Sequence, residues 1–358
     1  MPSLHDQLRH AMPQLRLTPL LIAANVLIFA AMLLNGASLW HAQNTIQLAW
    51  GANFGPATQD GEWWRLGSAL FLHFGILHLL LNMAALWDVG QWVERMYGTL
   101  RFAVIYLTAG LTGNLLSLVA NAGAAVSGGA SGAIFGIYGA LLSYLWLERS
   151  SIHPGEFRWL FWAAMGFSGA TIIFGLLVPG IDNAAHVGGW IAGVLMGVLL
   201  IRSEPGIVAG PQLGRWVSGL FFLFLVAVIV GQIPKPAYRW SEEKQIRGEV
   251  FEFLQEDAAI TRNWDNLLWQ GGKKGVSADE LADAIERMVA ERYDQSFEEL
   301  LALPIDGNLP SAPTVEHLKL YAEQRRDASR AMVEGLRARD KTKIKKALDQ
   351  ARQSGKVN

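Results

Sequence analysis

The sequence predicts an all-α, polytopic membrane protein with a six-helix core, a seventh transmembrane helix and a small helical soluble domain. The 358 residues are 51% hydrophobic and only 17% charged. Seven apolar runs follow one another in the first two-thirds of the chain. Charge is concentrated after them, because residues 1–233 contain nine arginines and no lysine while residues 234–358 contain the other 21 basic residues. This contrast indicates a membrane-embedded part followed by a water-soluble part.

Each apolar run has 16 to 22 residues, and a helix needs roughly 20 to cross a hydrocarbon core of about 30 Å. The runs cover residues 17–34, 66–87, 102–120, 130–147, 159–178, 186–201 and 216–233. We therefore divide the chain into a cytoplasmic N-terminal segment (1–16), a six-span core (17–202), a linker with the seventh helix (203–233) and a soluble helical domain (234–358).

Arginine placement predicts the orientation of the spans. With a cytoplasmic N-terminus, eight of the nine arginines before residue 234 lie on the inner side and only Arg65 lies outside. Positive charge accumulates on the cytoplasmic side of membrane proteins. Seven spans would then place the soluble domain on the outer side. The expected location is the inner membrane of a bacterium, with the domain in the periplasm.

The charged last third is predicted to be helical. Residues 241–254, 277–293 and 315–352 have apolar side chains at three- and four-residue spacing. Ser277 followed by Glu280 is the pattern of a capping box at a helix start. Glycine, proline and asparagine indicate loops at residues 271–275 and 303–313.

Two polar residues occur at the same predicted depth in the fourth and sixth runs. Ser131 lies 17 residues before Glu148, and His186 lies 16 residues before Arg202. At ~1.5 Å per residue, both side chains are about 25 Å above the inner ends of their helices. A serine needs a base to become a nucleophile. The pair is therefore predicted to act as nucleophile and base in acyl transfer.

Glycines at every fourth position would bring these two helices together. They are Gly128, Gly132 and Gly136 in the fourth run and Gly189, Gly193 and Gly197 in the sixth. Stripes of small residues let helix backbones approach closely in lipid. Ordinary helix packing alone also explains such stripes, and that packing is what would place an imidazole beside a hydroxyl.

An acyl-transfer site also needs hydrogen-bond donors for the oxyanion. His78 and Asn82 are four residues apart, so they share one face of the second helix, and both side chains can donate. Free N–H groups in the first turn after Ser131 are further donors. His73 is expected to point elsewhere and to be structural. Asp182 lies in the outer loop, so a dyad is favoured over a triad.

At these residues the sequence closely resembles the rhomboid family of intramembrane serine proteases, through residues 17–202. The matching residues are, in chain order, Trp64 and Arg65; His73, His78 and Asn82; Glu94, Arg95 and Gly98; Gly129 to Gly132; and Ala185, His186 and Gly189. The resemblance implies Ser131 as nucleophile, His186 as base, and His78 with Asn82 in the oxyanion hole. It also implies a Trp64-Arg65 loop that packs partly into the membrane. Some members have a tyrosine where this chain has Phe135, whose ring can still pack on His186.

The predicted activity is cleavage of transmembrane segments near their outer ends, beside a cavity rimmed by residues 121–129. The expected partners are transmembrane protein substrates and the lipid bilayer, with no nucleic acid and no cofactor or metal. The alternative is a non-proteolytic rhomboid-like protein that binds client transmembrane helices. A transporter is disfavoured because the halves show no inverted repeat, and a metalloprotease because His-Glu-x-x-His is absent from the sequence.

Overall fold

The structure is a computed structural model that describes residues 3–121, 125–201, 212–272 and 275–354. The chain divides into two compact units, Met1–Pro236 and Ala237–Asn358. Within the described residues both units are helical, and the only extended pairing is one antiparallel bridge between Asn53 and Ser127. The predicted all-α class is confirmed. Parts of the expected rim (122–124), of the linker (202–211) and of the 271–275 loop (273–274) lie outside the described residues.

Eleven helices form the described part of the first unit. They are α1 (Leu4–Ala11), α2 (Leu17–Leu34), α3 (Asn44–Ala49), α4 (Gly55–Gln59), α5 (Arg65–Ser68), α6 (Ile76–Tyr97), α7 (Thr99–Ala120), α8 (Ser131–Leu147), α9 (Pro154–Leu177), α10 (Asn183–Leu200) and α11 (Gln212–Gly231), with a short 3-10 turn at Ala69–Phe71. Five of them are long and apolar enough to cross a membrane: α2, α7, α9, α10 and α11. The shorter α8 has 17 residues.

The predicted span at residues 66–87 is not one continuous helix. The chain breaks between Arg65–Phe71 and Ile76–Tyr97, and the two parts are bent by 91°. Backbone hydrogen bonds hold the break open, because Ala42 donates to Phe74 (2.7 Å) and Ile76 donates to Leu39 (2.8 Å). Gly75 has no room for a side chain against the carbonyl of Trp40. An apolar run therefore contains a sharp turn, at residues 72–75, that hydrophobicity alone does not reveal.

Helix α6 continues ten residues past the predicted inner end. This extension is polar, and its residue Glu94 is hydrogen-bonded to the start of α2. The buried Glu94 carboxylate accepts hydrogen bonds from the backbone of Arg16, Leu17 and Thr18, which are the free N–H groups at the start of α2. The hydroxyls of Thr18 and Thr99 donate to the same carboxylate. An anion at a helix N-terminus meets both the unpaired N–H groups and the helix dipole. Glu94 thereby joins α2, α6 and α7.

The N-terminal segment forms a helix that belongs to the first unit. Leu4 and Leu8 of α1 are buried in its main hydrophobic cluster. The ring of His5 lies edge-on to Trp92 of α6, with centroids 5.2 Å apart. The amphipathic pattern of α1 therefore places its apolar side on the core.

The second unit consists of α12 (Trp240–Gly271), α13 (Ala278–Ile285), a π-helical turn (Glu286–Ala290), α14 (Glu291–Ala302), α15 (Ala312–Arg337) and α16 (Lys341–Ser354). The predicted capping box at Ser277 and Glu280 is confirmed. The predicted helix at 315–352 is interrupted instead, because Arg339 adopts a positive φ of 54° between α15 and α16. Left-handed backbone at one residue ends a helix.

Candidate active site

Ser131 and His186 meet at the starts of two neighbouring helices. Ser131 is the first residue of α8, and His186 lies in the first turn of α10. The Oγ atom of Ser131 and the Nε2 atom of His186 are 2.9 Å apart, which is hydrogen-bond distance. The sequence predicts equal depths for Ser131 and His186, and the structure places their side chains in direct contact.

Glycine permits this contact because the backbones of α8 and α10 touch. A Cβ atom on Gly189 would overlap the carbonyl group of Gly132, and one on Gly193 would overlap that of Gly136. The Cβ position of Gly132 lies 3.2 Å from the carbonyl oxygen of Ala185, the residue before His186. The predicted glycine contact is thus present along both helices. Gly128 is the exception, because it precedes α8 and faces Leu72 at an ordinary 3.4 Å.

The ring of His186 is fixed by stacking. Its centroid is 4.3 Å from that of Phe135, one turn after Ser131, and the two planes differ by 3°. The expected packing of Phe135 on His186 is confirmed. The imidazole is 5% exposed, and its Nδ1 atom has no hydrogen-bond partner among the described residues. The ring is therefore positioned by an aromatic face and by Ser131, with no carboxylate on Nδ1.

The carboxylate of Asp182 caps the start of α10 and makes no hydrogen bond to the imidazole of His186. Its carboxylate accepts from the backbone N–H of Ala185 at 3.0 Å, which caps α10. The same carboxylate accepts from Ser117 of α7 at 2.5 Å and from Ser127 of the following loop at 2.6 Å. One acidic side chain therefore joins α7, α10 and the loop before Ser131. Sequence reasoning missed this network, since only the helix-capping position of Asp182 is visible in the sequence.

The loop that leads to Ser131 is held by its backbone. Ser127 exchanges two hydrogen bonds with Asn53, at 2.9 and 2.8 Å. The N–H of Gly129 donates to Ala69 at 2.8 Å, and Gly129 has a φ of 138° that favours glycine. The loop is thereby tied to the 3-10 turn that precedes α6. No side chain caps α8, which leaves the first-turn N–H groups after Ser131 without intrahelical partners.

His78 lies beside Ser131. A Cβ atom on Gly129 would be 2.9 and 3.0 Å from the Cε1 and Nε2 atoms of His78, and 3.7 Å from the Oγ atom of Ser131. The Nδ1 atom of His78 accepts from the backbone of Phe74 at 3.4 Å. An acceptor at Nδ1 leaves Nε2 as the nitrogen that carries the proton. His78 therefore presents a donor on the side of Ser131.

Asn82 lies one turn below His78 on the same face of α6. It is buried, and its side-chain amide donates to the carbonyl oxygen of His78 at 2.9 Å. An amide nitrogen has two N–H groups, so one donor remains after this bond. The structure therefore brings Ser131, His186 and His78 together and places Asn82 directly behind His78.

The sequence places His73 on the same helix as His78, and that placement is wrong. The helical argument fails because His73 precedes α6 and lies in the turn before it. Its fully buried ring lies edge-on to His78, with centroids 5.0 Å apart. The backbone carbonyl of His73 accepts from Gln47 at 2.9 Å. His73 therefore packs behind His78 and ties this turn to α3.

The two arginine motifs hold the scaffold. Arg65 is buried and donates to the carbonyl groups of Leu48 (2.7 Å) and Ala52 (3.1 Å), with Glu62 as its ionic partner at 2.5 Å. Trp64 stays 56% exposed, while Arg65 lies 4.9 Å over its ring. Arg95 donates to the carbonyl group of Met12 at 3.2 Å, beside the Glu94 contacts described above.

The sequence of this chain is similar to those of rhomboid proteins. Residues 60–203 match the family described as Rhomboid domain. The chain is 35% identical to Rhomboid protease GluP of Bacillus subtilis (strain 168) over 286 residues, which cover 78% of this chain and 52% of that protein. It is 39% identical to RHOMBOID-like protein 5 of Arabidopsis thaliana over 155 residues, which cover 42% and 48%. The chain spans about half the length of these curated relatives.

Proposed function

We propose that this chain, which belongs to the rhomboid family, is an intramembrane serine endopeptidase that cleaves transmembrane segments of other membrane proteins. The observation that carries the proposal is the 2.9 Å contact between the hydroxyl of Ser131 and Nε2 of His186. The chain is a multi-pass integral membrane protein by family and by its apolar helices. A nucleophile and a base at the outer ends of two such helices favour cleavage near the outer end of a substrate helix.

The reaction uses the two side chains in turn. The Oγ atom of Ser131 attacks the carbonyl carbon of the peptide while its proton passes to Nε2 of His186. The tetrahedral intermediate collapses as the C–N bond breaks, and His186 returns the proton to the leaving amine. Water then adds to the acyl-enzyme with His186 again as base. This step releases the carboxylic acid and restores the Ser131 hydroxyl.

The oxyanion formed in each step needs donors on the far side of Ser131 from His186. His78 supplies an N–H beside Gly129, Asn82 supplies its remaining amide N–H, and the first turn of α8 supplies backbone N–H groups. One such donor typically contributes about 3 kcal/mol of transition-state stabilisation. We assign His73, Trp64, Arg65, Glu94 and Arg95 to the scaffold. His73, Arg65, Glu94 and Arg95 hold a turn or a helix start through the contacts described above, and Trp64 packs on Arg65.

The proposed arrangement in the membrane follows the arginine distribution. The N-terminus and α1 lie on the cytoplasmic side, and α11 returns the chain to the outer side. In a bacterial inner membrane the second unit is then periplasmic. Residues 17–202 form the protease core in this proposal, and 234–358 form a separate soluble domain. A reporter that is active on one side of the membrane only, fused after residue 358, tests this orientation.

Replacing the nucleophile tests the activity. Ser131→Ala removes the attacking oxygen, so cleavage of a model transmembrane substrate should fall by at least about 10,000-fold. Gel separation of the products from the purified full chain in lipid vesicles measures the rate. Ser143→Ala is the matched control, because Ser143 is a buried serine of the same helix that donates to the backbone of Gly139 and Val194.

The same preparation separates the protease from a client-binding protein. A serine-directed covalent probe should label the wild-type chain and Ser143→Ala but leave Ser131→Ala unlabelled. Cleavage that persists in Ser131→Ala would refute the dyad. A wild-type chain that binds transmembrane helices, cleaves none and resists the probe would be a non-proteolytic member of the family.

A further inference from the structure

Positive charge in the second unit is concentrated in its last helix. Residues 237–340 contain 14 basic and 21 acidic residues, which is a net charge of −7. Residues 341–354, which form α16, contain five basic residues and one acidic residue, which is a net charge of +4. Like charge collected on one part of a protein attracts partners of the opposite charge. Helix α16 is therefore the part of this unit that an anionic partner would meet.

Helix α16 packs on its own unit through its apolar side. Ala347 and Ala351 are buried in a hydrophobic cluster of the unit, and Ile344 and Leu348 are partly buried against it. Gly335 of α15 permits this approach, because a Cβ atom there would lie 3.0 Å from Ile344. The apolar residues of α16 are thereby used within the unit.

The other side of α16, which we name the basic face, carries its cations. All the basic residues of the helix are exposed, and they are Lys341, Lys343, Lys345, Lys346 and Arg352. Among the described residues none of these five forms an ion pair, whereas Arg330 of α15 pairs with Asp294. The charge of the basic face is therefore not neutralised by the described part of the chain.

The composition of the basic face fits a layer of lipid headgroups better than it fits a folded protein. The face has no exposed large apolar side chain, and protein interfaces usually depend on buried aromatic or apolar anchors. Four of the five cations are lysines, which are point charges on flexible stems and need no fixed partner geometry. Clusters of about four to eight basic residues on a helix are typical of binding to anionic lipid.

The chain itself keeps a bilayer close to this unit. Helix α11 is long and apolar enough to cross a membrane and ends at Gly231, while α12 begins at Trp240. The residues between these two positions can extend by at most about 30 Å. A short tether makes contact with the lipid an intramolecular step, so a weak attraction for each charge is sufficient.

We propose that the basic face of α16 docks the second unit on the membrane by binding the headgroups of anionic phospholipids. The rest of the unit has a net charge of −7 and is repelled by the same surface, so docking favours orientations in which α16 meets the lipid. The inference goes beyond the proposed protease function and does not depend on it. It applies on either side of the membrane, because the tether and the charges are the same.

A single fluorophore on the basic face tests the docking. The chain has no cysteine, so Gln350→Cys on the exposed side of α16 gives one labelling site in the full chain. Vesicles carry the same small fraction of headgroups with a nitroxide quencher. Quenching should be roughly 2-fold stronger in vesicles with about 30% phosphatidylglycerol than in phosphatidylcholine alone. Salt at about 0.5 M should remove the difference, because it screens charges beyond about 4 Å. Equal quenching in both vesicles at low salt would overturn the inference.

Charge variants of the labelled chain identify the residues responsible. Lys345→Gln with Lys346→Gln removes two charges from the basic face and should remove about half of the gain in quenching or more. Lys345→Arg with Lys346→Arg keeps the charge and should keep the gain. Lys244→Gln with Arg262→Gln is the matched control, because it removes the same charge from exposed positions of α12. A gain that is unchanged in the first variant, or falls equally in the control, contradicts the inference.

The outcomes separate this inference from its alternative and from the protease assignment. Soluble polyglutamate that changes the fluorescence of the label, where anionic vesicles do not, would assign the basic face to an acidic polypeptide and overturn docking on lipid. Ser131→Ala should abolish cleavage and leave the lipid-dependent quenching unchanged. Loss of either result therefore leaves the other in place.

Discussion

The contact between α8 and α10 and the buried cluster around Arg325 are both closely packed, but different groups make the contact. In the first unit glycine backbones touch, and the Cβ positions of Gly189 and Gly193 are filled by carbonyl groups of α8. In the second unit Arg325 lies between the rings of Trp264 and Tyr293 and donates to the Tyr293 hydroxyl at 3.1 Å. Lipid offers no hydrophobic gain for helix association, so small residues and backbone contact replace large side chains there.

The buried polar groups of the two regions also differ in their hydrogen-bond partners. In the second unit buried polar groups bind one another: the phenols of Tyr293 and Tyr321 both donate to Asp257, at 2.7 and 2.9 Å. Burial raises the pKa of both phenols, which keeps them protonated as donors. At the start of α10, by contrast, Nδ1 of His186 has no partner among the described residues. The Asp257 carboxylate therefore holds two phenols of the second unit, whereas the imidazole at the start of α10 keeps one ring nitrogen without a hydrogen bond among the described residues.

Among the changes that test this comparison, the largest effect is expected from adding a side chain to the glycine contact. Gly193→Val places branched carbons against the carbonyl group of Gly136, so α10 must move away from α8. A displacement of about 1 Å at a catalytic pair lowers rates by roughly 100-fold, and we expect at least that loss of substrate cleavage. Gly166→Val is the matched control, because Gly166 of α9 has no atom within 4 Å of its Cβ position. Equal losses in both variants would show that valine in a helix, and not the contact, is responsible.

A smaller effect is expected when the cluster of the second unit loses its cation. Arg325→Met removes the donor to Tyr293 and to the carbonyl group of Ala351, which should cost about 3 kcal/mol of local stability. Hydrogen exchange of the amides of α15 in the full chain, read by mass spectrometry, should speed up by roughly 100-fold. Arg330→Met on the same helix removes only an exposed ion pair with Asp294, worth about 0–1 kcal/mol. Cleavage should be retained in both variants.

The smallest effect is expected at the polar network that positions the active-site loop. Asp182→Ala removes the cap of α10 and the acceptor for Ser117 and Ser127, and a lost cap costs about 1 kcal/mol. We expect cleavage to fall about 10-fold, with Asp182→Asn restoring most of it, because asparagine also caps helices and accepts from hydroxyls. Rates measured with one substrate at saturating and limiting concentrations give the kcat and KM of each variant. An inactive Asp182→Asn would mean that the negative charge acts on His186 directly.

The sequence was sufficient to predict the contact between Ser131 and His186. It was insufficient to predict the turn and the hydrogen bonds that surround this pair. Ser131 and His186 could be placed together because distance along a helix is depth in a membrane, and glycine spacing identifies the contact. The break before α6 could not be predicted, since backbone bonds to residues 39–42 hold it and the run itself is continuously apolar. His73 was misplaced for the same reason. The hydroxyls that donate to Asp182 belong to Ser117 and Ser127, which are 65 and 55 residues away in sequence, and no local pattern joins them.

The Glu94 carboxylate joins two helices of the first unit through the hydrogen bonds that it accepts from the start of α2. It fixes the start of α2 to the end of α6, and α2 extends about 27 Å from there, with Phe29 and Met32 buried near its far end. Over this length a tilt of about 2° displaces the far end of α2 by roughly 1 Å. A substitution that removed the Glu94 contacts would therefore be expected to change the packing at both ends of α2.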